Sequence, residues 1–180
     1  MSRARQRGWT LVELMIAVAI AGILVSYGVS AANGVMQAAH AFEAHGALLT
    51  SLGHARSAAA LRERDVRLCP SADGVACLDG FHWESGWISY VDMNNDNRKD
   101  AGDVVLERQP ALAEGVHVIT STGRRTIEFQ ASAGNGGSNA TFTFCDRRGP
   151  AKAKAFALSN TGGLREVATS AAAVAEACPR

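Results

Sequence analysis

The chain has 180 residues, 47% of them hydrophobic and 19% charged, with 18 basic and 17 acidic side chains for a formal charge of +1. That length suits one globular domain with an appendage, and the near-neutral balance excludes attraction to nucleic acid by bulk charge. The distribution is uneven: Arg3, Arg5 and Arg7 open the chain without an acid, residues 65–114 carry four bases against ten acids, and residues 115–180 carry eight bases against four acids.

After the basic leader, residues 9–29 are apolar except for Thr10, Glu13, Ser26 and glycine. About twenty such residues can span a bilayer as a helix, and the leader arginines place the preceding end on the cytoplasmic side. A secretory signal peptide is the alternative, since "VSYGVSAANG" offers a small-x-small site around Ser30–Ala32. That alternative gives no reason for Glu13, because a carboxylate at the centre of a spanning helix costs about 2.5–3.5 kcal/mol on insertion scales.

Helical periodicity continues through Val35, Ala38, Ala39, Phe42, Leu49, Leu52, Ala55 and Ala59, and no proline precedes Pro70. One helix from Trp9 to about Arg64 is expected, roughly 80 Å long at 1.5 Å per residue, with an amphipathic outer half over residues 30–64. Short β-type runs follow: "VRLC", "WISYVD", "VVLE", "VHVI", "TIEF", "TFTF" and "KAFALS". Their β-branched and aromatic content predicts a half-buried antiparallel sheet over residues 65–180, with "GNGGSN" as a hairpin loop between "TIEF" and "TFTF". Trp83 and Trp87 are expected to brace a strand and turn.

Cys69, Cys77, Cys145 and Cys178 all lie beyond the apolar run. An even number of cysteines outside the membrane points to disulfides, and three pairings are possible. One of them closes the short loop "PSADGVA" and leaves Cys145 with Cys178. No zinc-type cysteine or histidine spacing occurs, so no metal or cofactor is expected at the cysteines.

The junction "RG-WTLVELM" before an apolar helix resembles the leader of type IV pilins and pseudopilins: Gly8 stands before the cut, Trp9 at the new N-terminus and Glu13 at the fifth mature position. "LCPSADGVAC", "WESGWISYVDMNNDNRKDAGDVVL" and "FTFCDRRGPAKAKAFALSNTGGLR" resemble the GspH/FimT pseudopilins and minor pilins. The resemblance implies an α+β pilin-like fold, cleavage of leader 1–8 by a prepilin peptidase, and N-methylation at Trp9. It also implies a single-pass inner-membrane anchor over 9–29, a periplasmic domain, and assembly with other pilins at the tip of a type IV pilus or type II secretion pseudopilus. Glu13 is expected to pair with a neighbouring subunit's free amine, because one partner left alone in a helix bundle is costly.

Two other stretches are candidate sites. Asp92, Asn94, Asp96, Arg98, Asp100 and Asp103 fall at the ligand offsets of an EF-hand loop, but Asn97 replaces the turn glycine and Asp103 the bidentate glutamate. The reading adopted is an Asn/Asp-rich hairpin whose side chains bond their own backbone, without a metal. Arg147, Arg148, Lys152, Lys154 and Arg165 form a basic tail, with Lys152 and Lys154 expected on one face of a strand. FimT-like minor pilins imply binding of double-stranded DNA through a G-R-x-R element, which "GGLR" matches except at Gly163. The alternatives for the tail are therefore a solvated orienting face and a DNA contact. His40, His45, His54, His82 and His117 are scattered and no hydrolase motif occurs, so no enzyme is expected.

Overall fold

The computed structural model describes residues 10–132 and 139–178, except for the side chains of residues 25–31. Gly8, Trp9, the rest of the leader and most of "GNGGSN" lie outside the described residues. The chain divides into two compact units, residues 1–36 and 37–180.

In the first unit, helix α1 begins at Leu11 and continues to Arg62 in the second. Its opening turns carry Leu11, Val12, Leu14, Met15, Ile16, Val18, Ile20, Ile23 and Leu24, each between 53% and 74% exposed. Apolar side chains facing outward all round a helix need lipid or other helices to cover them. Among the described residues no helix is long and apolar enough to cross a membrane; the span expected over 9–29 extends beyond the described side chains at both ends.

The second unit holds the remainder of α1, two four-stranded antiparallel sheets and a short helix. The strands are β1 Val66–Pro70, β2 Trp87–Val91, β3 Val104–Gln109, β4 His117–Thr120, β5 Ile127–Phe129, β6 Ala140–Cys145, β7 Lys154–Leu158 and β8 Leu164–Val167; helix α2 is Ala171–Ala177. The first sheet has the order β3-β2-β1-β5 and the second β4-β6-β7-β8. The hairpin expected between "TIEF" and "TFTF" does not form, because β5 pairs with β1 and β6 with β4 and β7. Strand runs were legible, but their partition into two sheets depends on non-local pairing.

The helix stripe that reaches the core is Ala44, Leu48, Leu52, Ala55 and Ala59, at intervals of three and four. Phe42 and Leu49 instead face outward, at 78% and 48% exposure, which corrects the stripe expected from periodicity. That stripe shares one core with Val66, Leu68, Ile127 and Phe129 of the first sheet and Ala140, Phe142 and Phe144 of the second. Trp83 and Trp87 are buried in that core, their rings 6.1 Å apart. Trp83 donates from Nε1 to Thr120 Oγ1 at 3.4 Å and packs edge-on to Phe142. Between them Gly86 has φ +102, and a Cβ there would stand 2.4 Å from the Gln109 carbonyl oxygen. Only glycine fits that turn.

Helix α1 ends where Glu63 takes a left-handed φ of +50. The helix α2 was not expected; Ser170 caps it, its Oγ accepting from the Ala173 N–H at 3.2 Å.

Candidate functional site

At the start of α1, Thr10 is the N-cap and Glu13 the third helical residue. Glu13 N–H donates to Thr10 Oγ1 at 3.2 Å, and Thr10 N–H donates to Glu13 Oε2 at 3.0 Å. Thr10 Oγ1 also donates to that carboxylate at 3.2 Å. This reciprocal pair is a capping box, which satisfies two of the helix's orphan donors. The spacing T-x-x-E of residues 10–13 is its sequence signature, and reading Glu13 only as an assembly charge passed over it. In the single chain the acid is held by its own helix N-terminus, where the macrodipole favours a negative charge.

The loop between β2 and β3 is built around a buried cation. Arg67 of β1 donates from Nε to Asp92 Oδ2 at 3.0 Å and from Nη2 to Glu128 Oε2 at 2.8 Å, and also bonds the Asn97 side chain. Asp92 is fully buried and also accepts from the Asn97 N–H at 3.0 Å. The other Asp and Asn side chains at these offsets accept from backbone N–H groups: Asn94 from Asp96, Asp96 from Arg98, Asp100 from Gly102, and Asp103 from Met93 and Asp100. Asn97, at the offset where an EF-hand has glycine, takes φ +67, a conformation asparagine tolerates. The Asp and Asn side chains at EF-hand offsets are thus engaged with their own loop or with Arg67, while Asp92 Oδ1 is buried without a hydrogen-bond partner among the described residues.

Two disulfides fasten the domain. Cys69–Cys77 closes the loop after β1, and Cys145–Cys178 joins the end of β6 to the residue after α2. Inside the first loop Asp73 is held below the usual carboxylate range by hydrogen bonds from the Ala76 and Val75 N–H groups.

The five basic tail residues do not form one patch. Arg148, Lys152 and Lys154 line a groove of about 400 Å³ with Phe42, His45, Phe144 and Phe156. Arg165 lines a separate polar pocket with Ser121, Thr141 and Ser159, and Arg147 pairs with Glu114. Lys152 is not on a strand: Pro150 opens a 3-10 turn, Pro150–Lys152, and β7 begins at Lys154. A proline lacks the N–H a ladder needs. Lys154 pairs with Glu166 at 3.2 Å, and Arg148 with Asp146 at 2.7 Å. Burial pushes the Asp146 carboxyl up, but hydrogen bonds and charge from Arg148 outweigh it and hold it below the ordinary value. His45 stacks on Phe156 at 4.1 Å. Its pKa is lowered by burial and by Lys154, with Glu166 partly offsetting them.

Residues 44–162 match the family described as type II transport protein GspH, and residues 3–27 match the prokaryotic N-terminal methylation motif. No curated protein matches the chain. Among solved structures, the type IV minor pilin FimU of Pseudomonas aeruginosa shares 16% identity with a TM-score of 0.55, covering 74% of this chain and 89% of its own. The minor pseudopilin EpsH of the type 2 secretion system of Vibrio cholerae shares 14% identity with a TM-score of 0.49, covering 72% of this chain and 97% of its own. The FimU likeness confirms a pilin-like α+β fold, and the family match takes in both sheets up to the turn before β8. The chain therefore belongs to the GspH family and is a minor pilin or pseudopilin subunit with an N-terminal methylation motif.

Proposed function

We propose that the chain is cleaved between Gly8 and Trp9 by a prepilin peptidase, methylated at Trp9 and held in the inner membrane by residues 9–29. Its domain then lies in the periplasm and joins other pilins at the tip of a type IV pilus or a type II secretion pseudopilus. The observation that carries this reading is a helix start with apolar residues outward on all sides and a single acid, Glu13, folded onto its own N-terminus. A self-capped carboxylate is less costly to hold in lipid than a free one. On assembly the Thr10 contact is exchanged for the cationic amine of a neighbour, a stronger charge-assisted partner. In the second unit the outward Phe42 and Leu49, seven residues apart, are further apolar side chains open to neighbours.

Intact-mass analysis of the chain purified from its membrane tests the processing. The expected form lacks residues 1–8 and carries one methyl group; a chain retaining the leader contradicts the reading.

Binding of double-stranded DNA has less support. Arg147, Arg148 and Lys154 are each engaged by an acid, and a paired cation releases fewer counterions from DNA. The residual case rests on Lys152 and Arg165. A steep salt dependence of DNA binding that is lost on charge reversal at Lys152, Lys154 and Arg165 is the result that supports it.

A further inference from the structure

On the face of the second sheet covered by α2 lies a group of side chains outside the features on which the proposed assembly rests. The segment before Trp83 runs along β4: Trp83 N–H donates to the Val118 carbonyl at 2.8 Å, Thr120 N–H donates to the Phe81 carbonyl at 2.9 Å, and His82 bridges Ile119 in antiparallel fashion. Continuing that register sets Glu84 opposite His117, and residues opposite one another share a face. His82, two residues from Glu84, is on that face too. On the other side of β4, Cys145 stands opposite His117. Its disulfide to Cys178 draws in the last turn of α2, which carries Glu176.

We propose that His82, Glu84 and His117 form a binding site for a late first-row divalent cation, zinc being the representative, with Glu176 orienting His82. His82 Nδ1 is 3.2 Å and His117 Nδ1 3.8 Å from the same oxygen, Glu84 Oε1. Two imidazole nitrogens and a carboxylate are a common zinc donor set, and tetrahedral bonds of 2.0–2.2 Å place donors about 3.3 Å apart. One separation already matches; the other closes by about half an ångström of side-chain rotation at half-exposed positions. Among the described residues no three such groups already stand in metal geometry, so the cation must draw them together.

Two further features favour a cation over ordinary ion pairs. Glu84 Oε2 is buried and accepts no hydrogen bond among the described residues, and an orphaned buried carboxylate oxygen calls for a partner. On the far side of the ring, His82 Nε2 faces Glu176 Oε1 at 3.8 Å, while Phe81 stacks on the imidazole at 4.9 Å. A carboxylate behind a ligating histidine fixes its tautomer and leaves the other nitrogen free to bind metal. Two carboxylates with two neutral imidazoles sum to a charge that a dication balances, and the nitrogen donors select zinc, nickel or copper over calcium and magnesium.

The test is zinc titration of the untagged full chain in detergent, stripped of metal and competed with a chromophoric chelator. The expected result is one zinc per chain, undisturbed by excess calcium. Joint His82→Ala and His117→Ala substitution is expected to weaken binding at least about 100-fold, and Glu176→Gln about 10-fold. Zinc should raise the melting temperature of the unaltered chain but not of the double variant. X-ray absorption of the zinc-loaded unaltered chain, which needs no variant to fold, should show two imidazole nitrogens. No zinc uptake, unchanged affinity in the double variant, or a shell without two imidazoles each overturns the proposal.

Discussion

Replacing Arg67 with alanine strips a buried carboxylate of its counter-ion. The Arg67 side chain is 7% exposed and Asp92 is wholly buried, with Glu128 at 21%, and the two charge-assisted bonds measure 3.0 and 2.8 Å. Removing one member of a buried pair costs about 3–5 kcal/mol, because the remaining charge is left without compensation. Asp92 keeps only the Asn97 N–H as a partner, so the upper part of that range applies at neutral pH. For a chain of this size each kcal/mol is worth about 2–4 °C, so Arg67→Ala should lower the melting temperature by roughly 10 °C or more. The assay is a thermal melt of the oxidised full chain in detergent, read by circular dichroism. Asp92→Asn on the Arg67→Ala background should recover part of the loss by removing the orphaned charge. A drop under about 1 kcal/mol would place Arg67 among screened surface pairs and refute the reasoning.

Opening the Cys145–Cys178 bond by substituting both cysteines with serine removes a cross-link spanning 33 residues. The loop-entropy relation gives about 3–4 kcal/mol, and hydrogen exchange should rise first in α2, whose other anchors are the small cluster of Ile119, Ala177 and Phe81. Acid sensitivity should have two components. His45 is depressed below the ordinary 6.5 in the folded chain, so the unfolded chain takes up a proton first and stability falls as pH drops below about 6.5; His45→Gln should flatten that part of a stability-against-pH curve. Asp146, depressed by Arg148 despite burial, contributes stability above the ordinary carboxylate value that is lost as pH falls through its lower folded value. Asp146→Asn should remove that more acidic component.

Much of this fold was legible because local chemistry and tertiary packing agree. The long helix, seven strand runs and the bracing tryptophans follow from periodicity, β-branched content and a proline-free start. What escaped has a physical reason in each case. Residues 164–167 read Leu-Arg-Glu-Val, two charges in the middle, and become β8 only because β7 supplies a ladder partner. The outward Phe42 and Leu49 cannot be told from core residues by period alone, since the same helix packs one face on the domain and leaves apolar side chains exposed on another. The zinc-type cluster is split between residues 82–84, 117 and 176, so spacing cannot reveal it; the β4 register brings it together. By contrast, the capping box of Thr10 and Glu13 was fully local and could have been read directly.

The helix cap that Glu13 forms and the assembly role proposed for it can be separated by substitution. Glutamine keeps the capping box, since an amide oxygen also accepts the N-cap N–H, but lacks the charge that pairs with an amine. Alanine loses both. The decisive measurement compares Glu13→Gln and Glu13→Ala chains, by quantitative immunoblot, in sheared filaments or purified pseudopili and in the membrane fraction. If charge pairing drives assembly, both variants are processed and remain in the membrane, with incorporation abolished equally. Incorporation of the Glu13→Gln chain at the level of the unaltered chain would contradict that, leaving Glu13 a helix cap and no more.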